Sequence, residues 1–269
     1  MENFNQPINP HNSSVIPEKL NLNPKNKEDQ RRHIKGEEYQ DKETGDTFYK
    51  KKYWGGFPEK HLREHFVSLL IKGIFHSSEM VKTGKEEFFS RGIDLNHTEK
   101  AEPFEKEAET FILKTVLGDY DRDMDNHNIK QNDDGKFNQY DFESFEGNEF
   151  AEIHKSSRNA RKIFHKFCEE NNFSKDNIHD FCLQIFNKLD RLEQAVNDEK
   201  FISAILKKTE FEPPEEVIDI GKNKKVIRNI KKYFSKEDGN IQDVNMIRAR
   251  NLLLQPIRAM KKAIKRNLQ

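Results

Sequence analysis

Residues 117–143, LGDYDRDMDNHNIKQNDDGKFNQYDFE, crowd seven aspartates, four asparagines and one histidine into one connection. An EF-hand calcium loop wants oxygen ligands at alternate positions, a glycine at the sixth and a bidentate glutamate at the twelfth. Asp121, Asp123 and Asp125 supply the alternation, but Asn126 and Asn132 stand at the sixth and twelfth places. Both the turn residue and the closing ligand are missing. A solvated turn explains Asp and Asn singly, because their side chains hydrogen-bond the local backbone. It does not call for so many mutually repelling carboxylates. The third reading is the phosphate-handling end of an enzyme, and it depends on spacing.

Around this stretch lies a chain of 269 residues, enough for one large core or two modest ones. It is 33% hydrophobic and 35% charged, yet its 21 phenylalanines fall in periodic patterns, which excludes disorder throughout. Lys+Arg and Asp+Glu balance at 47 each, which argues against a general nucleic-acid or membrane binder. Two cysteines, Cys168 and Cys182, without CxxC spacing, exclude a disulfide framework or structural zinc site. They suit a reducing compartment. No basic-then-apolar leader and no apolar run of spanning length are present, so the expectation is a cytosolic protein, or one delivered without a cleavable signal peptide.

Working outward along the chain, residues 1–30 read as a flexible tail rich in Asn, Pro, Lys and Ser. EEYQD-KETGD-TFYKKKY reads as two strands around a turn, and Pro58 opens a helix with Leu62, Phe66, Leu69 and Leu70 on one face. Residues 74–101 are expected to hold a short helix at EEFF and a loop. Pro103 precedes a helix carrying Phe104, Ala108, Phe111, Ile112 and Thr115, stopped at Gly118. NIKQN-DDG-KFNQYDF reads as strand, turn and strand, and from about Glu149 the chain is mostly helical. This order gives an α+β plan in two lobes.

Within the opening stretch, Asp123 and Asn128 are five positions apart, and Asn128 and Asp141 thirteen. A helix precedes the first pair and a hairpin separates the second. The pattern resembles the protein-kinase superfamily, in which RDxxxxN leads through a β-hairpin to DF. The resemblance implies a bilobal protein-kinase-like fold: a reduced N-lobe of β-strands plus helix over 31–102, and a helical C-lobe over 103–269. The C-lobe would carry a catalytic loop at 119–143 and a basic helical extension at 150–269. It implies ATP and Mg²⁺, or Mn²⁺, as cofactors. Asp123 would accept the proton of the attacking hydroxyl, while Asn128 and Asp141 would hold metal. An alternative register begins at Asp121. Departures from the family pattern are Asp121 for histidine, Asp125 for lysine and Glu143 for glycine.

The resemblance also asks for a strand lysine and a helix glutamate. Strand alternation sets Lys50 and Lys52 on the face of Phe48 and Lys51 on the other. Lys50 is chosen, with Lys52 behind it and Phe48 as an adenine contact. Glu59, on the face of Leu62 and Phe66, and Glu64, nearer mid-helix on the polar face, compete for the glutamate. No GxGxxG is present.

Downstream, Lys155, Arg158, Arg161 and Lys162 form a basic cluster that suits a polyanion such as inositol hexakisphosphate or an anionic lipid. The overall character is similar to effector kinases that intracellular bacteria of the Legionella type secrete into host cells, some of which need a host activator. The implied function is γ-phosphoryl transfer to a protein hydroxyl in the host. Lipid phosphorylation, adenylyl transfer and a non-enzymatic adaptor are the alternatives.

Overall fold

The computed structural model describes residues 22–24, 38–51, 58–83, 87–119, 128–140, 157–213 and 241–268. The fold is α+β. Strands β1 (Leu22–Pro24), β2 (Glu38–Asp41), β3 (Thr47–Lys50), β4 (Met80–Lys82) and β5 (Phe88–Arg91) form one antiparallel sheet in the order β1-β2-β3-β5-β4. Helix α1 (Pro58–Ile71) connects β3 to β4. Helix α2 (Glu105–Thr115) leads to a separate hairpin of β6 (Ile129–Gln131) and β7 (Phe137–Gln139). Four helices follow: α3 (Ser157–Glu170), α4 (Lys175–Asn197), α5 (Glu199–Thr209) and α6 (Ile241–Ile264).

The β2–β3 hairpin forms as its turn chemistry predicts. Asp41 Oδ1 accepts the backbone N–H groups of Glu43 and Thr44, both at 2.9 Å. Register then sorts the side chains. Phe48 lies opposite Tyr39 and Arg91, and Lys50 opposite Phe89, so these share one face. Lys51, whose N–H donates to the Phe88 carbonyl at 2.9 Å, projects to the other face. Helix α1 packs there: the His65 ring meets the Phe88 ring at 6.0 Å, and Ser68 Oγ accepts the Met80 N–H at 3.0 Å.

Two expectations for this region are corrected. The EEFF segment contributes no helix at its phenylalanines; Phe88 and Phe89 begin strand β5, which is interior to the sheet and buried on both faces. Two adjacent buried aromatics suit a strand covered on both sides. The stretch read as a tail contributes β1, which pairs with β2 from Leu22↔Asp41 to Pro24↔Tyr39.

Helix α2 is stopped by Gly118, at φ 80°, which lets the Asp119 N–H return to the Leu113 carbonyl at 2.9 Å. Its buried side meets α4 and α3 in an aromatic core of Phe111, Phe164, Phe167, Phe173 and Phe181. Helix α6 closes this core with Leu253, Ile257, Met260 and Ile264. Among the described residues, no helix is long and apolar enough to cross a membrane.

Candidate functional site

On the α1 face of the sheet, Lys51 Nζ stands 2.9 Å from Glu64 Oε1, with the two side chains 12% and 2% exposed. Glu64 is buried because α1 is covered on two sides, by the sheet on one and by α5 on the other, so the face that periodicity marks as polar has no access to solvent. Lys50 points away from this pair. Its Nζ meets Glu87 Oε1 at 2.6 Å near the surface. Phe48 is buried on the Lys50 face of the sheet. Among the described residues, the lysine that meets an α1 glutamate is therefore Lys51, one position past the end of β3, and not the expected Lys50. The side chain of Glu59 and the whole of Lys52 lie outside the described residues.

Asn128 is 7% exposed at the entry to the second hairpin. Its carbonyl accepts the Tyr140 N–H at 3.0 Å, so the ladder sets Asn128 across from the residue preceding Asp141. Gly135, at φ 79°, shapes the turn. Asp121, Asp123, Asp141 and Lys155 lie outside the described residues.

The hairpin is anchored to the turn that follows α1. The Gln139 N–H donates to the His76 carbonyl at 2.6 Å, and the Ser78 N–H donates to the Gln139 carbonyl at 2.8 Å. The His76 ring lies over Phe137, with centroids 4.6 Å apart. His76 in turn reaches α2, where its backbone N–H meets Glu109 Oε1 at 3.0 Å and its Nδ1 meets the same oxygen at 3.0 Å. Lys188 of α4 completes the cluster. Its Nζ donates to Glu109 Oε1 at 2.5 Å, Glu105 Oε1 at 2.7 Å and the Ile74 carbonyl at 3.0 Å. Sequence reading missed this hub, whose members are spread from residue 74 to residue 188.

His76, Glu105 and Glu109 offer ligand atoms within 4.8 Å of one another, a grouping that could hold a metal ion. The Lys188 ammonium already bridges both carboxylates and supplies the compensating positive charge. The group therefore fits an ion-pair hub better than a metal centre. Burial pulls the His76 imidazole down, but its hydrogen bond to Glu109 and the charges of Glu109 and Glu105 outweigh burial and raise its pKa. Glu105 shows the same competition: burial raises its pKa, while the Lys188 hydrogen bond and charge bring it below the usual carboxylate value.

A cleft of about 560 Å³ opens beside this hub, reaching Asp46, Arg91 and Asp94. Its lining omits Lys51, Glu64 and Asn128, and four of its charged side chains pair with one another, Arg91 with Asp46 at 2.6 Å and Lys72 with Glu79 at 2.7 Å. Volume alone does not make it the reacting site. On α3, Arg158 and Lys162 are exposed and Arg161 is half-buried.

No protein-family model matches this chain, and no curated protein or solved structure matches it.

Proposed function

We propose that this chain is an ATP- and Mg²⁺-dependent phosphotransferase with a bilobal, kinase-like arrangement, acting on a hydroxyl of a protein substrate. The observation that carries the reading is the Lys51–Glu64 pair, formed between the residue that directly follows the third strand of an antiparallel sheet and the next helix. An ion pair between those two elements is the device by which kinases hold a lysine toward the ATP phosphates. The Asn128–Tyr140 pairing adds support, because it sets Asn128 across the hairpin from the residue that precedes Asp141 in sequence.

On this reading Lys51 donates to the phosphate oxygens, and Glu64 fixes its ammonium and excludes other rotamers. Asn128 and Asp141 would hold Mg²⁺, a hard cation that suits an amide oxygen and a carboxylate and neutralises the triphosphate. Asp123 accepts the proton of the substrate hydroxyl as its oxygen bonds to the γ-phosphorus. The bond from that phosphorus to the bridging oxygen breaks, and ADP leaves. The basic side chains of α3, with Arg158 and Lys162 exposed, extend the proposal to a polyanionic activator such as inositol hexakisphosphate.

Thermal unfolding with and without ATP and Mg²⁺, on wild type and Asp141→Ala, tests the reading. Ligand at a hundred times its dissociation constant stabilises a fold by about 2.7 kcal/mol. A shift that requires metal and is lost in Asp141→Ala is expected, and product mass then separates phosphoryl from adenylyl transfer. No shift in wild type, with or without inositol hexakisphosphate, overturns it.

A further inference from the structure

We infer that α5 and the turn after it, Thr209 to Phe211, form a built-in seat that holds α1, and with it Glu64, against Lys51. The contact spans most of the chain. Phe66 of α1 and Phe211 lie 145 positions apart in sequence, yet their rings meet with centroids 5.0 Å apart, 2% and 6% exposed. Glu64 and Phe66 are two residues apart, and at about 100° per residue they leave the helix on nearly opposite sides. The sheet therefore holds one side of α1 through Glu64, and Phe211 holds the other through Phe66.

The turn that presents Phe211 is itself fixed. Glu210 adopts φ 56° and returns its N–H to the Leu206 carbonyl at 2.9 Å, ending α5. Its carboxylate meets Lys82 Nζ of strand β4 at 2.7 Å, so the same turn grips the sheet as well as the helix. Between the two grips lies His65, 1% exposed, whose Nδ1 finds no hydrogen-bond partner among the described residues. Burial, with the charges of Lys208 and Lys82 behind it, brings this imidazole down to about 4 and keeps it neutral.

A 14-residue helix has little stability by itself, and its position is set by what it packs against. Here the packing partner belongs to the chain's own distal helices. The setting of the Lys51–Glu64 pair thus depends on residues 199–211 as well as on the sheet, and lifting Phe211 from Phe66 loosens Glu64 from the lysine. The seat stands on geometry alone. Its consequence for nucleotide rests on the phosphotransfer reading.

Hydrogen exchange and Mg·ATP affinity, measured on the full chain, separate the two. Phe211→Ala should speed amide exchange over Phe66–Ile71 by about tenfold relative to the α4 amides, because the opening is local. Mg·ATP affinity should fall about tenfold, with Phe211→Leu recovering most of both effects. Phe211→Leu also carries the test where the alanine variant does not fold. Phe173→Leu, in the aromatic core away from α1, is the matched control and should leave α1 in step with α4. If α1 exchanges in step with α4 in both Phe211 variants, or if Phe173→Leu opens α1 equally, the seat is overturned. If wild type binds no nucleotide, the phosphotransfer reading falls by itself, and selective opening of α1 still upholds the seat.

Discussion

Lys188 Nζ lies 2.5 Å from Glu109 Oε1, joining α4 to α2 in an environment where the two side chains are 6% and 0% exposed. The ammonium also holds Glu105 and the Ile74 carbonyl, so one side chain ties two helices to the turn after α1. Lys188→Met strands two carboxylates beside each other in the interior. Breaking a buried ion pair by removing one partner costs about 3–5 kcal/mol. Urea unfolding should report a loss of that order. Adding Glu109→Gln to Lys188→Met should return at least about 1 kcal/mol, the coupling expected of residues in one network. Additive losses would show that the pair does not act as a unit.

The same hub makes stability depend on pH in a definite direction. His76 has a folded-state pKa above its ordinary value of 6.5, so the folded chain holds the proton more tightly than the unfolded chain. That contribution is fully present below about pH 6.5, the unfolded value, and is lost as pH rises through the higher folded value. Glu105, Glu109 and Lys188 are the charged groups that face the ring. Denaturant midpoints measured from pH 6 to pH 9 should fall more in wild type than in His76→Gln. Parallel profiles for the two proteins would remove His76 from the account.

The two lysines at the end of β3, Lys50 and Lys51, should behave differently on substitution. Lys50 and Glu87 form a partly solvated pair, 26% and 52% exposed, and such pairs contribute about 0–1 kcal/mol. Lys50→Met should unfold near the wild-type midpoint and keep its Mg·ATP affinity within a few-fold. Lys51→Met leaves Glu64 in the interior without its ammonium partner, a loss of about 3 kcal/mol. If phosphoryl transfer is the activity, loss of this donor to the phosphates should also lower kcat by about 100-fold or more. Equal effects at the two positions would contradict the role given to Lys51.

These lysines show how far the sequence could be read. The β2–β3 hairpin, α2 and the β6–β7 hairpin each carry local signals, a Thr-Gly-Asp turn, a terminating glycine and an Asp-Asp-Gly turn, and all three form where those signals put them. Alternation correctly opposed Lys50 to Lys51. It could not say which face the helix would cover. Glu64 looked polar because periodicity assumes that a helix has one solvated side, and α1 lies between the sheet and α5. Phe88-Phe89 misled for the related reason that a central strand carries no alternation when both faces are buried. The hub around Lys188 had no local signature at all, since chain topology alone gathers its residues.

Phe181 sits at the centre of the aromatic core, with ring centroids 5.0 Å from Phe173, 5.5 Å from Phe167, 5.7 Å from Phe111 and 5.8 Å from Phe164. A cavity there has four rings for walls, and rings relax poorly into a neighbouring gap. Phe181→Ala should cost about 3–5 kcal/mol, and Phe181→Leu clearly less. Chemical denaturation measures both. A loss under about 1 kcal/mol for the alanine variant would mean that this cluster is not the core that joins α2, α3 and α4.

The two thiols give a readout of that core without any substitution. Burial pushes the Cys168 thiol up to about 12, helped by neighbouring Cys182 and Glu169, and burial raises Cys182 to about 11. The thiolate is the reactive form, and at pH 8 the folded chain holds almost none of it. Both side chains are also buried within the hydrophobic core, so reagent must wait for an opening. A disulfide reagent at pH 8 should label neither cysteine in the native state within minutes and both promptly in denaturant. With rapid reclosing, the native rate should follow the opening equilibrium, and it should rise in Phe181→Leu. Fast labelling of the native wild type would show that α3 and α4 part far more readily than their packing implies.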